Sequence, residues 1–247
     1  MAKSDIKRVL GSVRRADEKY GMIEDNDRIA VGVSGGKDSL MLLFALSIYK
    51  KFSKKNFQII AITVDLGFRP FDVSPIQAFC DKLGVEYKVV PSEIGDVVFN
   101  VRKEKNPCAL CANMRRGAVN NAAKELNCNK VALAHHRDDA IETLLMSMFL
   151  EARMNTFAPV TYLSRVDLKV IRPFIYVPEE IISSCAKDNE LPIVNAPCPI
   201  DGKTSRQDVK ELIQELSNKF PDLHEKLLHA LDTHETYNLW DKYAVNK

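Results

Sequence analysis

RIAVGVSGGKDSLMLLFALSIY, residues 28–49, changes structural character in its middle. Arg28–Val33 is a short apolar run of strand type, and Leu40–Tyr49 is apolar enough on all sides to read as a buried helix. Between them stands Ser34-Gly35-Gly36-Lys37-Asp38-Ser39. A glycine-rich turn from a strand into a helix N-terminus presents backbone N–H groups and the positive end of the helix dipole to an anion. Lys37 adds a point charge. The pattern is not a Walker A loop, which puts Gly before the Lys and Ser or Thr directly after it, and the dinucleotide pattern GxGxxG is absent. A plain strand-to-helix turn would not require the Ser, Lys, Asp and Ser together, so the stretch reads as a phosphate loop.

Outward from this loop, strands and helices alternate. Residues 3–21 form an amphipathic helix with Ile6, Val9, Leu10 and Val13 on one stripe and Gly21 as the stop. Phe57–Asp65 is a second strand, Pro75–Leu83 a helix closed by Gly84, and Val85–Val90 a third strand. A helix from Ala112 to Leu126 leads to the strand Lys130–Ala134, then to a helix from Asp138 to Glu151. Val170–Ile171 is apolar, a helix starts near Pro178, Ile193–Val194 is a last short strand, and the tail from Ser205 is helical. Near-continuous apolar strands between helices predict an α/β fold with a parallel twisted sheet covered on both faces, Rossmann-like in layout. The expected organisation is a single domain over 1–247, with helical extensions at 1–24 and 205–247.

Ligands of such sheets sit at the carboxyl ends of the strands, and the polar motifs here follow strand ends. No apolar run reaches the roughly 20 residues that span a bilayer, and the N-terminus lacks the apolar core of a signal peptide. The expectation is a cytoplasmic protein with no membrane partner. A net charge of +2 does not by itself argue for nucleic acid. Locally, residues 1–20 hold six Lys/Arg against three Asp/Glu, and residues 101–116 hold Arg102, Lys103, Lys105, Arg115 and Arg116 against Glu104. Such runs can neutralise phosphates, although a charge run is more often a solvated face.

The loop resembles the SGGxDS signature of the PP-loop ATP pyrophosphatase superfamily, whose members cleave ATP between the α and β phosphates. That resemblance implies pyrophosphate contacts for Ser34, Gly35, Gly36, Lys37, Asp38 and Ser39. It implies adenine contacts at Thr63-Val64-Asp65, where the second strand ends. Ala134-His135-His136-Arg137-Asp138-Asp139 is similar to the family's GHHxDD element. It implies ATP contacts at His135 and Asp139, and Mg²⁺ ligation by Asp138 and Asp139, hard oxygen donors suited to that ion. Helix N-capping by Asp138 is the bland alternative and is compatible with it. The shared chemistry is adenylation. A carbonyl oxygen attacks the α-phosphate, pyrophosphate departs, and the adenylated oxygen becomes a good leaving group.

Six cysteines in a chain of this type point to metal binding or catalysis rather than a disulfide framework. Cys80, Cys128 and Cys185 sit singly in helix-like sequence and read as core. Cys108 and Cys111 form a Cys-x-x-Cys at a helix opening with Arg115 and Arg116 one turn on, a setting that favours thiolates. Cys198 lies in a Pro-bracketed turn. From these residues alone, structural zinc, a redox dithiol and an iron–sulfur cluster on three thiolates all remain open. Taken in order, SGGKDS, CALCANMRRG, AHHRDDAIETLLM, VIRPF (170–174) and Cys198 followed by Arg206 resemble the tRNA 2-thiocytidine synthetases over roughly residues 25–215.

The resemblance implies a [4Fe–4S] cluster on Cys108, Cys111 and Cys198, with catalytic roles for these, Lys37, Asp38 and Asp138. It implies ATP-dependent thiolation of tRNA, typically at cytidine, and a sulfur donor, either a persulfide protein or sulfide. Arg115, Arg116 and Arg172 are the candidate contacts to tRNA or to an anionic intermediate. Asn195 stands where the family carries an additional Cys. The related 2-thiouridine synthetases have zinc-finger cysteine pairs at both ends that this chain lacks, which favours cytidine over uridine. The alternatives are uridine thiolation by a related branch, or a PP-loop amide or lysine ligase with structural zinc. The C-terminal helices and Trp240 offer a face for a homodimer.

Overall fold

The structure, a computed structural model, describes residues 2–102, 107–194 and 205–233. By chain segment these form two compact units, Met1–Arg137 with Ala158–Gly202, and Asp138–Phe157 with Lys203–Lys247.

The first unit is built on a six-stranded sheet. Its strands are β1 (Arg28–Gly32), β2 (Gln58–Asp65), β3 (Glu86–Pro91), β4 (Lys130–Ala132), β5 (Val160–Leu163) and β6 (Leu168–Ile171), in the order β3-β2-β1-β4-β6-β5. All neighbours pair parallel except β5, which runs antiparallel to β6 at the edge. The apolar runs of β1 and β2 are buried almost throughout, as strands covered on both faces must be. Ala30, Ile60, Ile62, Val64, Val131 and Val170 pack on one side against Val119, Ala122 and Ala123 of α5 (Pro107–Glu125). On the other side α2 (Lys37–Phe52) is packed by α1 (Ala2–Tyr20) and α7 (Glu179–Asp188). Between β2 and β3 lies α3 (Ser74–Leu83), closed by Gly84 at φ 67° in the left-handed region that a helix stop favours. After β3 come a short α4 (Ile94–Asp96) and a π-helical turn, Val97–Arg102.

In the second unit α6, which runs Arg137–Glu151, packs Ile141 and Leu145 on Val209 and Ile213 of α8 (Ser205–Lys219), and α9 (Leu223–Asp232) follows.

The predicted α/β class with a parallel sheet is what the chain adopts. Two local expectations differ, and one strand, β5, was not foreseen. Helix α5 starts at Pro107 rather than near Ala112, because proline is pre-organised for the first helical position. Ile193–Val194 is not a strand; Val194 instead makes a single backbone bond to the phosphate loop, donating its N–H to Gly35 O at 3.0 Å. Strand β5 carries no strong sequence signal, being short and half polar, with Tyr162 59% exposed on the sheet edge.

Candidate active site

Strand order reverses at β1, with β2 on one side and β4 on the other. The crevice at the carboxyl ends of β1 and β4 is therefore the topological switch point, where ligands of open α/β sheets bind. The phosphate loop leaves β1 there, and His135-His136-Arg137 leaves β4 there.

The loop is held from beneath and from within. Val33 N–H donates to Ile62 O at 2.8 Å, and Thr63 Oγ1 donates to Val33 O at 2.8 Å, so β2 carries the base of the loop. Ser34 N–H donates to Ser39 Oγ at 3.1 Å, the two hydroxyls lie 3.2 Å apart, and Ser39 Oγ donates to Gly36 O at 2.9 Å. The two serines thus brace the turn from inside. Gly35 has φ +89°, and a Cβ there would lie 2.6 Å from Val194 O, so both conformation and space require glycine. Gly36 caps α2 without a side-chain bond, leaving the first-turn amides for an anion.

Lys37 opens α2, and its Nζ donates to both Asp38 carboxylate oxygens at 2.9 and 3.1 Å and to Glu179 Oε1 at 2.9 Å. Burial pulls the Lys37 pKa down, but the bonds to Asp38 and Glu179 outweigh it and hold the ammonium above the ordinary lysine range. Glu179 escapes a sequence reading because an acidic residue after Pro at a helix start reads as dipole complementation. Only the fold brings it across 142 residues to the loop.

At the end of β2, Val64 is 9% exposed and Asp65 turns the chain. Asp65 accepts from Gly67 N–H at 2.9 Å and from Arg69 at 3.0 Å, and Ser92 Oγ donates to Asp65 O at 2.7 Å. The Arg69 bond holds the Asp65 carboxyl below its usual range, against a smaller opposing effect of burial. The side chain is thus committed to shaping the loop, while the strand-end backbone of Thr63–Asp65 borders the crevice. His135 is half-buried, His136 is buried, and Arg137 N–H donates to Val177 O at 3.1 Å.

Asp138 and Asp139 fall in the first turn of α6, in the second unit. There Asp139 accepts from Arg206 at 3.3 Å, Glu142 from the same guanidinium at 2.9 Å, and Asp138 lies 3.4 Å from His224 Nε2. Burial raises the Glu142 pKa, with Arg206 opposing. Among the described residues no group of three or more His, Cys, Asp or Glu forms a metal cage.

Cys108 and Cys111 occupy the first turn of α5, the former exposed and the latter 9% exposed. Three residues apart on a helix, they share one face. Cys198 lies outside the described residues, as does Trp240; Val194, anchored on Gly35, precedes Cys198 by four residues in the chain. A pair of thiols on one helix face, one of them open to solvent, fits two corners of a cluster that takes Cys ligands. Burial pushes the Cys80 thiol up to about 12 and the Cys185 thiol up to about 11, and it raises Cys128 as well, as inert core thiols require.

Of the arginines on and beyond α5, Arg116 is exposed and donates to Asn113 and to Ala112 O. Arg115 is half-buried. Arg172, at the end of β6, is only 7% exposed and donates to Ala158 O at 2.6 Å and Thr161 Oγ1 at 3.2 Å. Burial first, then the neighbouring Arg116, push its pKa down to about 10. Arg172 is thus an interior guanidinium, a different setting from a surface phosphate contact.

A PP-loop domain model matches residues 6–216 of the chain. The chain is 37% identical to the tRNA-cytidine(32) 2-sulfurtransferase of Geotalea daltonii, over 96% of this chain and 95% of that protein. With the protein of the same description from Geobacter sulfurreducens the identity is 35%, over 91% and 89%. Among solved structures, the U34-tRNA thiolase NcsA from Methanococcus maripaludis with its [4Fe–4S] cluster superposes with a TM-score of 0.77 at 26% identity, covering 98% of this chain and 83% of that one. NMN synthetase from Francisella tularensis, with a TM-score of 0.53 at 13% identity, shares the fold.

Proposed function

The chain belongs to the PP-loop family, and on that premise we propose that it is an ATP-dependent tRNA sulfurtransferase that replaces O2 of a cytidine with sulfur. The observation that carries the reading is the braced phosphate loop at the switch point, in a unit that also bears Cys108 and Cys111. Similarity to tRNA-cytidine(32) 2-sulfurtransferases over nearly the whole length supports the substrate. A second reading, thiolation of uridine, is favoured only by the likeness to a U34-tRNA thiolase.

In the proposed reaction the cytidine O2 attacks the α-phosphorus of ATP, and the bond to the pyrophosphate oxygen breaks. A sulfur nucleophile then adds at C2 and AMP leaves with the original oxygen. Ser34, Gly35, Gly36, Lys37, Asp38 and Ser39 take the pyrophosphate, the loop amides and the Lys37 ammonium countering the charge that grows on it. Val64 and Asp65 are assigned to the adenine through the strand end, and His135 to the phosphates. Asp138 and Asp139 are assigned the Mg²⁺ that accompanies ATP, which offsets phosphate charge. Cys108, Cys111 and Cys198 would hold a [4Fe–4S] cluster, which would supply a binding place for the sulfur to be transferred. Arg115 and Arg116 are assigned to tRNA, and Arg172, from its interior position, to an anionic intermediate rather than the tRNA surface.

The sulfur donor is proposed to be a persulfide protein or sulfide. The family match spans parts of both units, which supports one PP-loop domain with helical segments 1–24 and 205–247 at its ends. No helix among the described residues is long and apolar enough to cross a membrane, and a cytoplasmic homodimer is the proposed form.

The test is anaerobic incubation with tRNA, ATP, Mg²⁺ and sulfide, followed by nucleoside mass spectrometry and an AMP assay. Stoichiometric 2-thiocytidine and AMP are expected. Thiolated uridine would move the substrate to the second reading, and AMP formed with no thionucleoside would reject sulfur transfer.

A further inference from the structure

The lysine of the phosphate loop is shared between two carboxylates of different origin. Asp38 is its chain neighbour and moves with it, whereas Glu179 belongs to α7. That helix is fixed in place. It buries Ile181, Ile182, Cys185 and Ala186, and the preceding Phe174–Val177 are buried, with Val177 O accepting the Arg137 N–H at 3.1 Å. A rigidly mounted carboxylate therefore faces a lysine on a flexible four-carbon stem.

An ammonium has three donors, and the three bonds to Asp38 and Glu179 engage them. Any phosphate oxygen that takes Lys37 displaces a carboxylate. Glu179 is the one that can yield: Asp38 adjoins Lys37 in the first turn of α2, whereas Glu179 stands on a separate helix that Lys37 can turn away from, and the dipole of α7 stabilises its charge without the lysine.

We propose that Glu179 is a positioning residue that acts through Lys37, competing with the pyrophosphate group for the ammonium and reclaiming it when pyrophosphate departs. It thereby sets how tightly the loop holds its product. The inference rests on the proposed reading of the loop as an ATP pyrophosphatase site. A part-exposed ion pair contributes up to about 1 kcal/mol, so removing the competitor is expected to tighten anion binding by up to about fivefold.

The experiment titrates inorganic pyrophosphate with Mg²⁺ into the full chain by calorimetry, for the wild type, Glu179→Gln, Glu179→Asp and Glu180→Gln. Thermal melting confirms that each is folded. Glu179→Gln is expected to bind pyrophosphate a few-fold tighter and to show stronger product inhibition of AMP formation. Glu179→Asp, which keeps the charge with a shorter reach, should fall between, and it carries the test if Glu179→Gln unfolds. Glu180, exposed on the same turn, serves as the control that should match wild type. Equal or weaker binding by folded Glu179→Gln overturns the inference while leaving the loop's function intact. Wild-type protein that binds no pyrophosphate rejects the reading of the loop itself.

Discussion

At the residue scale the site divides into groups assigned to the anion and groups that hold those residues in place. Lys37→Ala removes the mobile positive charge of the loop, and tRNA-dependent AMP release is expected to fall about 10²–10³-fold, read in single-turnover assays. Cys108→Ala, Cys111→Ala and Cys198→Ala should each lose iron and labile sulfide and lower thiolation by at least about 100-fold. ATP binding, measured by calorimetry, should be unaffected. Iron retained at wild-type levels in any of the three would remove that residue from the ligand set.

Arg172 illustrates a conflict between function and stability. Its burial and the nearby Arg116 both disfavour its charged form, so like-charge relief in Arg116→Gln is expected to raise the melting temperature by about 1 °C, from a few tenths of a kcal/mol. Thiolation should fall at the same time if Arg116 meets tRNA. The loop residues were legible because their chemistry is local, six adjacent residues between a strand and a helix. Glu179 and the burial of Arg172 were not, since each depends on partners that only the folded chain brings near.

At the scale of elements, what the sequence conveyed depended on how strongly each segment was buried. Strands β1 and β2, covered on both faces, announce themselves as apolar runs, whereas β5 is an edge strand whose exposed Tyr162 dilutes the pattern. Helix α5 is longer than its apolar stripe because Pro107 extends it by one turn. The extension moves Cys108 and Cys111 from a loop onto a helix face, which fixes the direction of both thiols.

The turn after β2 carries a pH dependence. Arg69 holds the Asp65 carboxyl below the ordinary value of 3.8. The folded pKa is depressed, so the stabilisation is present above that ordinary value and is lost as pH falls through the lower folded one. Wild type should therefore lose more stability than Asp65→Asn on acidification below 3.8, with the Gly67 amide gaining hydrogen exchange. Equal acid sensitivity of the two proteins would show that the turn does not depend on this carboxylate.

At the scale of the whole molecule, an ionic cluster with a buried core of Lys130 and Asp27 secures the amino ends of the central strands, opposite the site. Lys130 is 1% exposed and lies 2.7 Å from both Asp27 and Glu24, while Asn129 Nδ2 donates to Asp27 at 2.7 Å. Asp27→Ala strips the buried partner from a buried ammonium and is expected to cost about 3 kcal/mol in urea unfolding. Pairing it with Lys130→Met should recover most of that loss, because the desolvated charge disappears with its partner. Failure of the double replacement to recover stability would assign the cost to packing instead.

The bond between Val194 and Gly35 has a consequence in time. The loop proposed to receive ATP is begun by residue 35 of the nascent chain but is bonded by a residue made 159 positions later, 194 minus 35. At about 5–20 residues per second, a ribosome takes roughly 8–30 s to cover that distance. Throughout that interval the glycine carbonyl lacks its native partner, so this bond of the loop forms only after both helix-borne cysteines have been synthesised. Translation thus orders the protein's own assembly, with two of the three proposed sulfur-handling thiols made before the Val194–Gly35 bond can form and the third, Cys198, made four residues after Val194.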